Sequence, residues 1–378
     1  MIFNDDQHFL AETLRSFARQ RLKPDYLNRP PGRPDQALLD DLANLGVLGL
    51  LVPEEHGGSG ATFVDAGIAG EELARGDFNV STFVQLAAIA ATGLRTWATP
   101  MVAATYLPKI ADGSCVPAIA LTEPDAGSDA GAISTAARET DGGWLINGEK
   151  SSVTFAGFAD ASIVLVRTGG PGAAGISAFW VPLDTAGVTR SVYAGVGGEI
   201  IARGSIVFDD VFVPGDHLLG EVDAGFAQAM TAFDFNRAVI ALSCIGAGLE
   251  SLDETVDYAN TRHTFGKPLS SRQAITQQVA EHYAKLQAAR SVSYDTLMLA
   301  DQSAKHTTEA AMSKWMGPAW SADAIHTALR LHGWSGYGSD HHFDQRLRDV
   351  IGLEIGDGTA EIMKAIIARD LFGVPTHR

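Results

Sequence analysis

Residues 162–181 read SIVLVRTGGPGAAGISAFWV, a pattern that separates this chain from an all-helical protein. The two ends of the stretch, 162–167 and 176–181, are rich in β-branched and aromatic side chains, and glycine and proline fill the middle. Such runs, separated by turn residues, predict two β-strands. The later run SIVFDDVFV at 205–213 has the same composition. We therefore expect a β-domain in the middle of the chain.

The segments on either side of this domain have a helical period. Apolar residues recur at helical spacing before residue 117 and again after residue 225, for example at Leu249 and Leu252. The last helix is expected to stop at Gly373, with Pro375 beyond it. The order predicts an α+β fold with three parts. These are an N-terminal α-helical domain (1–116), a middle β-domain (117–222) and a C-terminal helical bundle domain (223–378).

Composition narrows the class of function. The chain has 378 residues and a formal net charge of −17. Such an acidic chain is not expected to bind nucleic acid or an anionic membrane through its overall field. The N-terminus lacks the apolar region of a signal peptide, and no uncharged apolar run is long enough for a membrane span, so we expect a cytoplasmic protein. Cys115 and Cys244 are isolated in apolar text and are predicted to be core residues.

The stretch ALTEPDAGSDAGA (120–132) is the first candidate site. Its small residues let the backbone approach a ligand, and the N–H groups of such a turn can bind phosphate. Thr122 and Ser128 add hydroxyl groups. An ordinary Gly/Ser/Asp turn is the alternative interpretation.

The stretch GWLINGEKSSVTFAG (143–157) is the second candidate. Asn147–Gly148 predicts a hairpin turn. The strand after it would present Ser152 and Thr154 on one face, either to a planar heterocycle or simply to solvent.

Two arginines are candidate anion ligands. Arg262, in YANTRHTFGKPL (258–269), is expected in the last turn of a helix that breaks at Phe265–Gly266. There it would clamp a phosphate or merely complement the helix dipole. Arg237, in FDFNRAVIA (233–241), lies in apolar text and needs a partner. Asp234 or an anionic ligand would serve.

One acidic residue stands in an unusual setting. Asp357 lies between two glycines in LEIGDGTAEIM (353–363), just before a helix. It is either a base aimed at a substrate or, like Thr359, a cap of that helix. The histidines at 332, 341 and 342 do not have the spacing of a metal site, and no metal is expected.

Taken together, four segments resemble the acyl-CoA dehydrogenase family of flavoproteins, in order and over essentially the whole chain. They are LTEPDAGSDAGA (121–132), INGEKSSVTFAG (146–157), RHTFGKPL (262–269) and RLRDVIGLEIGDGTAEIM (346–363). The resemblance implies an N-terminal helical domain, a middle β-barrel or sandwich domain and a C-terminal four-helix bundle. It also implies bound FAD, a homotetramer and an electron-transferring flavoprotein as the expected electron acceptor.

The resemblance also assigns residues. Asp357 would be the catalytic base. Arg262, Thr264, Phe265 and Gln273 would reach the ADP part of FAD bound mainly to a neighbouring subunit. The remaining cofactor-binding positions would be Leu121, Thr122, Ser128, Val153, Thr154, Thr359 and Glu361. Substrate-binding positions would be Ser128, Phe233, Asp234, Arg237 and Gly358.

Three features depart from the family pattern. Ser152 stands where an indole often shields the flavin, and Arg330 with HGWSG (332–336) replaces a glutamine and a glycine-rich run. Asp357 stands where most members carry glutamate. With the strand EKSSVT (149–154), the segment around Asp357 most resembles the branch that oxidises alicyclic thioesters such as cyclohexanecarboxyl-CoA.

The leading hypothesis is therefore an oxidoreductase of alicyclic acid degradation. It would form an α,β-double bond in an alicyclic or branched acyl-CoA, with the hydride passing to flavin N5. A nitroalkane-oxidase-like or flavin monooxygenase activity on the same fold is the first alternative. A thioester carried by an acyl-carrier protein is the second. A non-catalytic flavin-binding protein is the third, and the retained acid and hydroxyl positions disfavour it.

Overall fold

The structure is a computed structural model that describes residues 3–373. Pro375 and the outermost residues of the two terminal predicted domains lie outside the described residues. The described chain divides into two compact units. Unit 1 contains residues 3–29, 63–82 and 234–373, and unit 2 contains residues 30–62 and 83–233.

Helices form the two ends of the chain, as the apolar periodicity predicts. Those before the sheet are α1 (Asp5–Phe17), α2 (Gln36–Asn44), α3 (Phe63–Gly76), α4 (Phe78–Trp97) and α5 (Pro100–Ala111). Those after it are α6 (Gly225–Thr261), α7 (Gln273–Asp301), α8 (Thr307–Leu331), α9 (Phe343–Ile351) and α10 (Ala360–Phe372). The last helix ends at Gly373, whose φ of 63° gives the left-handed cap that was predicted.

An eight-stranded sheet forms the middle of the chain and lies in unit 2. Its strands are β1 (Pro117–Ala120), β2 (Ala136–Thr140), β3 (Gly143–Val153), β4 (Ala161–Arg167), β5 (Ile176–Pro182), β6 (Val188–Val192), β7 (Gly204–Pro214) and β8 (Leu218–Leu219). The order is β6-β7-β3-β2-β4-β5-β8, with β1 also paired to β4. β1 and β2 run parallel to β4, and the other pairs are antiparallel. The predicted order of helices, sheet and helices is confirmed.

The apolar runs that predicted the sheet are its most buried strands. All residues of β4 and β5 are buried except the last of each. Trp180 and Phe179 on β5 are fully enclosed. Strands buried on both faces read as continuous apolar runs rather than alternating ones, which explains their composition.

The hairpin prediction at Asn147–Gly148 is wrong. These residues lie inside β3, where the pairing with β7 shifts register between Ile146 and Gly148. Gly148 has a φ of 138°, and a Cβ there would lie 2.7 Å from the Cα of Thr135. The glycine therefore marks a bulge and a close approach of two backbones. The turn between β2 and β3 is Asp141–Gly142, another residue pair that favours hairpins.

The region around Arg262 also differs from the expectation of a simple helix break. α6 ends at Thr261, so Arg262 is the first residue after it rather than part of its last turn. A short hairpin follows, with strands β9 (His263–Thr264) and β10 (Lys267–Pro268). Its turn is Phe265–Gly266, where both residues have positive φ.

The core of unit 1 is built where α6 packs with the later helices. One cluster contains Ile240, Cys244, Ile325 and Phe343, and a neighbouring one contains Leu249, Leu252 and Leu286. Both cysteines are buried and free, as predicted. Burial raises the pKa of each thiol to about 12.

Among the described residues, α6 alone is long and apolar enough to cross a membrane by length and composition. The stretch of α6 that meets this criterion is completely buried in the structure. The central helix of a folded domain has the same properties, so its composition follows from burial.

Candidate active site

The loop between α9 and α10 carries Asp357 in an unusual backbone conformation. Asp357 has a φ of 56° and Gly358 a φ of 102°, so both lie in the left-handed region. Thr359 follows as the N-cap of α10, and its Oγ1 accepts a hydrogen bond from the N–H of Ile362 at 3.4 Å. The interpretation of Asp357 as the cap is therefore wrong. Its carboxylate remains free for another role.

The Asp357 side chain is exposed, and a buried amide contacts it. Asn236 Nδ2 donates to Asp357 Oδ2 at 3.4 Å, and only 2% of Asn236 is accessible to solvent. Within the described chain, Asn236 Oδ1 is buried without a hydrogen-bond partner. A hydrogen bond from Asn236 to one oxygen orients this exposed carboxylate, which can contact a bound molecule. Sequence analysis missed Asn236, although it adjoins Arg237 in the quoted stretch.

Arg237 joins α6 to the same loop. Its guanidinium Nη1 donates to Asp234 Oδ1 at 2.7 Å, and its Nε points at the carbonyl oxygen of Asp357 at 3.5 Å. Thr307 Oγ1 donates to the second oxygen of Asp234 at 2.6 Å. Arg237 is only 6% exposed, so the predicted local partner, Asp234, is the one observed. Phe233, the residue before this group on α6, is also buried.

Lys314 on α8 is a second residue that sequence analysis missed. It is 1% exposed, and its ammonium donates to the carbonyl oxygens of Leu353 and Gly358. Burial is the main influence on the group and lowers the pKa of Lys314. The signal was a lone lysine in the apolar text AAMSKWMGPAW (310–320). Such a buried cation must find acceptors.

In unit 2, a buried ion pair fixes the turn that carries Leu121, Thr122 and Ser128. Lys150 on β3 is fully buried, and its ammonium donates to Glu123 Oε1 at 2.7 Å and to the carbonyl oxygen of Leu121 at 3.0 Å. The N–H of Ser151 donates to the carbonyl oxygen of Thr122 at 2.8 Å. The turn is therefore tied to β3 at two successive residues.

The carboxylate of Glu123 is saturated with donors. Oε2 accepts from the N–H and the hydroxyl of Ser134, and Oε1 accepts from the N–H of Thr135 as well as from Lys150. Burial alone would raise the pKa of Glu123. The hydrogen bonds and the charge of Lys150 outweigh it and lower the pKa to about 2.

The end of β3 brings Ser152, Val153 and Thr154 together. Val153 is buried and pairs with Gly204, and Thr154 follows it half-buried. Ser152 is exposed with a φ of 55°, so the expected alternation of side chains is interrupted there. The hydroxyl of Tyr193 lies 3.3 Å from the backbone nitrogen of Ser152. The expectation that Ser152 and Thr154 share a regular strand face is therefore wrong.

The remaining predicted cofactor positions fall in two places within unit 1. Thr359 and Glu361 lie in the first turn of α10, beside Asp357. The other group lies around the β9–β10 hairpin: Arg262 and Gln273 are exposed, Thr264 is half-buried, and Phe265 is 95% exposed. From Arg237 to the end of α6 is 24 residues, or about 36 Å of helix at 1.5 Å per residue. Arg237 on α6 and Arg262 just after its end therefore lie too far apart to contact the same small group.

Comparison with known proteins gives matches along the whole chain. The family model described as the acyl-CoA dehydrogenase N-terminal domain matches residues 4–114. The middle-domain model matches residues 118–211, and the C-terminal-domain model matches residues 223–372.

Individual relatives match at full length. The probable acyl-CoA dehydrogenase YngJ of Bacillus subtilis is 34% identical over 97% of this chain and 98% of its own. The caffeyl-CoA reductase–Etf complex subunit CarC of Acetobacterium woodii is 33% identical over 97% and 98%. A glutaryl-CoA dehydrogenase from Mycobacterium smegmatis, solved in complex with FADH2, has a TM-score of 0.92 at 25% identity, covering 100% of this chain and 97% of that one.

The residues present suit an FAD. Thr122, Ser128 and Thr154 supply hydroxyls in unit 2 that are at least partly accessible. At Gly127 an added Cβ would meet no atom within 4 Å, so the turn leaves open space for a ligand. Hydroxyls and backbone N–H groups are suitable donors for the carbonyl oxygens and ring nitrogens of a flavin and for phosphate oxygens. Within residues 3–373, no group of three His, Cys, Asp or Glu side chains is arranged to hold a metal.

Proposed function

The chain belongs to the acyl-CoA dehydrogenase family and is an FAD-dependent oxidoreductase. From this premise we propose that Asp357 is the base that removes the α-proton of an alicyclic or branched acyl-CoA. The observation that carries the proposal is the exposed carboxylate on a loop whose backbone is held by Lys314 and Arg237. It stands where the family motif carries its acid. The cap of α10 does not use it.

The residues around Asp357 suit a proton acceptor. In the ionised state the carboxylate accepts the N–H of Asn236 and still exposes an oxygen to a substrate carbon. Arg237 forms an ion pair with Asp234 on the same helix, so the charge of Arg237 is largely balanced before any ligand binds. FAD supplies the hydride acceptor, and the chain supplies position and proton transfer.

The choice of an alicyclic or branched thioester rests on the shorter acid. Aspartate has one methylene fewer than the glutamate of most members, so the α-carbon must come closer or be held differently. A compact ring with its α-carbon at a branch point suits such a change. The resemblance of EKSSVT (149–154) and the Asp357 segment to the cyclohexanecarboxyl-CoA branch supports the same proposal.

Anaerobic bleaching of the bound flavin tests the reaction and the substrate together. We expect cyclohexanecarboxyl-CoA to reduce the flavin faster than straight-chain acyl-CoAs do. Activity on straight chains alone would remove the alicyclic substrate. A carrier-protein thioester and a nitroalkane complete the panel. Bleaching by either, without reduction by any acyl-CoA, would contradict the proposal.

The variant Asp357→Asn tests the base. We expect it to keep its FAD and to reduce the flavin about 10²- to 10⁴-fold more slowly, because the positioned proton acceptor is lost. Asp323→Asn, an exposed carboxylate on α8 of the same unit, is the matched control and should behave like the unmodified protein. Unimpaired reduction by Asp357→Asn would exclude Asp357 as the base.

We also propose an electron-transferring flavoprotein as the redox partner and a homotetramer as the assembly. The name of the relative CarC places that protein in a complex with Etf. For the tetramer, the support is apolar surface on unit 1, where Phe265 is 95%, Trp334 85% and Tyr337 70% exposed. Exposed aromatic side chains in such number favour burial by another chain. The long separation of Arg262 from Arg237 suits a residue that serves a neighbouring subunit's cofactor.

A further inference from the structure

We propose that Lys314 is a positioning residue for the reaction: its ammonium holds the loop 353–358 in the conformation that presents Asp357. The proposal rests on the function proposed above, in which Asp357 is the base. Lys314 itself need not touch the substrate. It would act through the backbone of the loop.

The contacts of Lys314 bracket Asp357. Its Nζ donates to the carbonyl oxygen of Leu353, four residues before Asp357, and to that of Gly358, one residue after it, at 3.1 Å for the second bond. A single ammonium therefore joins the beginning and the end of the loop. A tetrahedral donor with several N–H bonds can make both contacts at once.

A cation at this position is costly, which indicates that it has a specific role. Lys314 is 1% exposed, and among the described residues the carboxylates of Asp357 and Glu354 favour its charge without touching it, while its hydrogen bonds go to carbonyl oxygens. Moving an ammonium out of water is unfavourable, and for Lys314 burial outweighs the nearby carboxylates, so hydrogen-bond acceptors must replace the lost hydration. A methionine of similar length would fill the same space on α8 without that cost. What methionine could not do is bind two carbonyl oxygens.

The loop needs such a restraint because its backbone is strained. Asp357 and Gly358 are consecutive left-handed residues, and this backbone region is less favourable for aspartate than for glycine. The cap of α10 fixes the chain only from Thr359 onward. The other contacts to Asp357 are long, at 3.4 Å from Asn236 and 3.5 Å from Arg237. The N–H of Gly356 also donates to the carbonyl oxygen of Gly352 at 3.0 Å, but this bond ends before Asp357. Lys314 therefore supplies the side-chain hydrogen bonds that hold the segment on both sides of Asp357.

Loss of Lys314 should affect the chemical step more than binding. A displacement of about 1 Å at a reacting group can lower a rate by roughly 10²-fold. We expect Lys314→Met to lower the rate constant of flavin reduction at saturating thioester by about that factor. The KM for the thioester and the FAD content should change little. With an α-deuterated thioester, the isotope effect on reduction should be at least as large as in the unmodified protein.

The test is anaerobic stopped-flow reduction of Lys314→Met and Lys314→Gln holoenzymes. Glutamine removes the charge and can reach only one carbonyl oxygen, so the same slower flavin reduction is expected. If the methionine variant does not fold, the glutamine variant is measured in its place and against the same criteria. Lys305→Met is the matched control, since Lys305 is 75% exposed and pairs with Asp370 at the surface. A Lys314 variant with full FAD content and a rate within threefold of Lys305→Met would overturn the proposal.

A double variant separates this proposal from the one on which it rests. In an Asp357→Asn background, Lys314→Met should cause no further slowing, because the group that it positions is already gone. An undiminished effect in that background would show that Lys314 acts elsewhere. If Asp357→Asn alone keeps its rate, the assignment of the base fails, whatever Lys314→Met does.

Discussion

Substitution of Glu123 by glutamine should strongly destabilise unit 2. Lys150 is fully buried, and Glu123 is its counter-ion at 2.7 Å, with only 4% of the glutamate side chain exposed. Removing one partner leaves an uncompensated buried charge, which costs about 3–5 kcal/mol in comparable pairs. Each carboxylate oxygen of Glu123 accepts two hydrogen bonds. In the glutamine variant the NH2 group would replace one oxygen and would face two donors with no acceptor.

The measurement is chemical denaturation followed by the intrinsic fluorescence of the chain, at pH 7. Glu139→Gln is the matched control, because Glu139 is exposed on β2. Surface changes of this kind usually alter the free energy of unfolding by less than about 0.5 kcal/mol. The double variant Glu123→Gln/Lys150→Met removes both charges and should lose less stability than Glu123→Gln alone. A single variant as stable as Glu139→Gln would refute the reasoning.

The same pair predicts a pH dependence. The pKa of Glu123 is about 2 in the folded protein, below the ordinary value of 4.5. A lowered carboxyl pKa contributes stability that is fully present above pH 4.5 and is lost as the pH falls from 4.5 toward 2. The difference in unfolding free energy between the unmodified protein and Glu123→Gln should therefore shrink over that range. A difference that stays constant between pH 7 and pH 3 would contradict the assignment.

Two further predictions concern unit 1. Thr359→Ala should lower the free energy of unfolding by about 1 kcal/mol, because it removes the side-chain acceptor at the start of α10. Thr359→Ser keeps the acceptor and should be close to neutral. An equal loss of stability in both variants would exclude the cap. The combined variant Phe265→Ser/Trp334→Ser should shift the sedimentation of the protein from tetramer toward smaller species, because apolar contact area is removed; an unmodified protein that sediments as a monomer would contradict the proposed assembly.

The sequence predicted the order of helical and β parts because the spacing of apolar residues reflects the local helix or strand period. The apolar runs at 162–167 and 176–181 became β4 and β5, with their boundaries nearly unchanged. Bulges escaped prediction. Asn147–Gly148 and Asp141–Gly142 are both favourable turn pairs, but the turn forms at Asp141–Gly142, and Gly148 instead packs against Thr135. That contact depends on the residue just before β2, which the residues around position 147 do not specify.

The candidate site was predictable where a short motif carries the chemistry and not where partners come from distant helices. Asp357, Arg237 and Asp234 could be selected from the chain alone. Lys314 lies 43 positions before Asp357 on another helix, so only the packing of α8 against the loop reveals it. Asn236 was adjacent to a selected residue, but its orientation toward Asp357 follows from the course of α6.

The left-handed backbone at position 357 bears on how members of this family could be interconverted. Aspartate and asparagine tolerate this region better than longer side chains do, since their short polar groups can hydrogen-bond locally. A glutamate placed on the same backbone would bear that penalty and would also extend its carboxyl group past Asn236. Exchanging the acid alone would therefore place a side chain on a main-chain geometry that does not suit it. An exchange of substrate preference between relatives should replace residues 353–359 together with Lys314, whose ammonium contacts that segment.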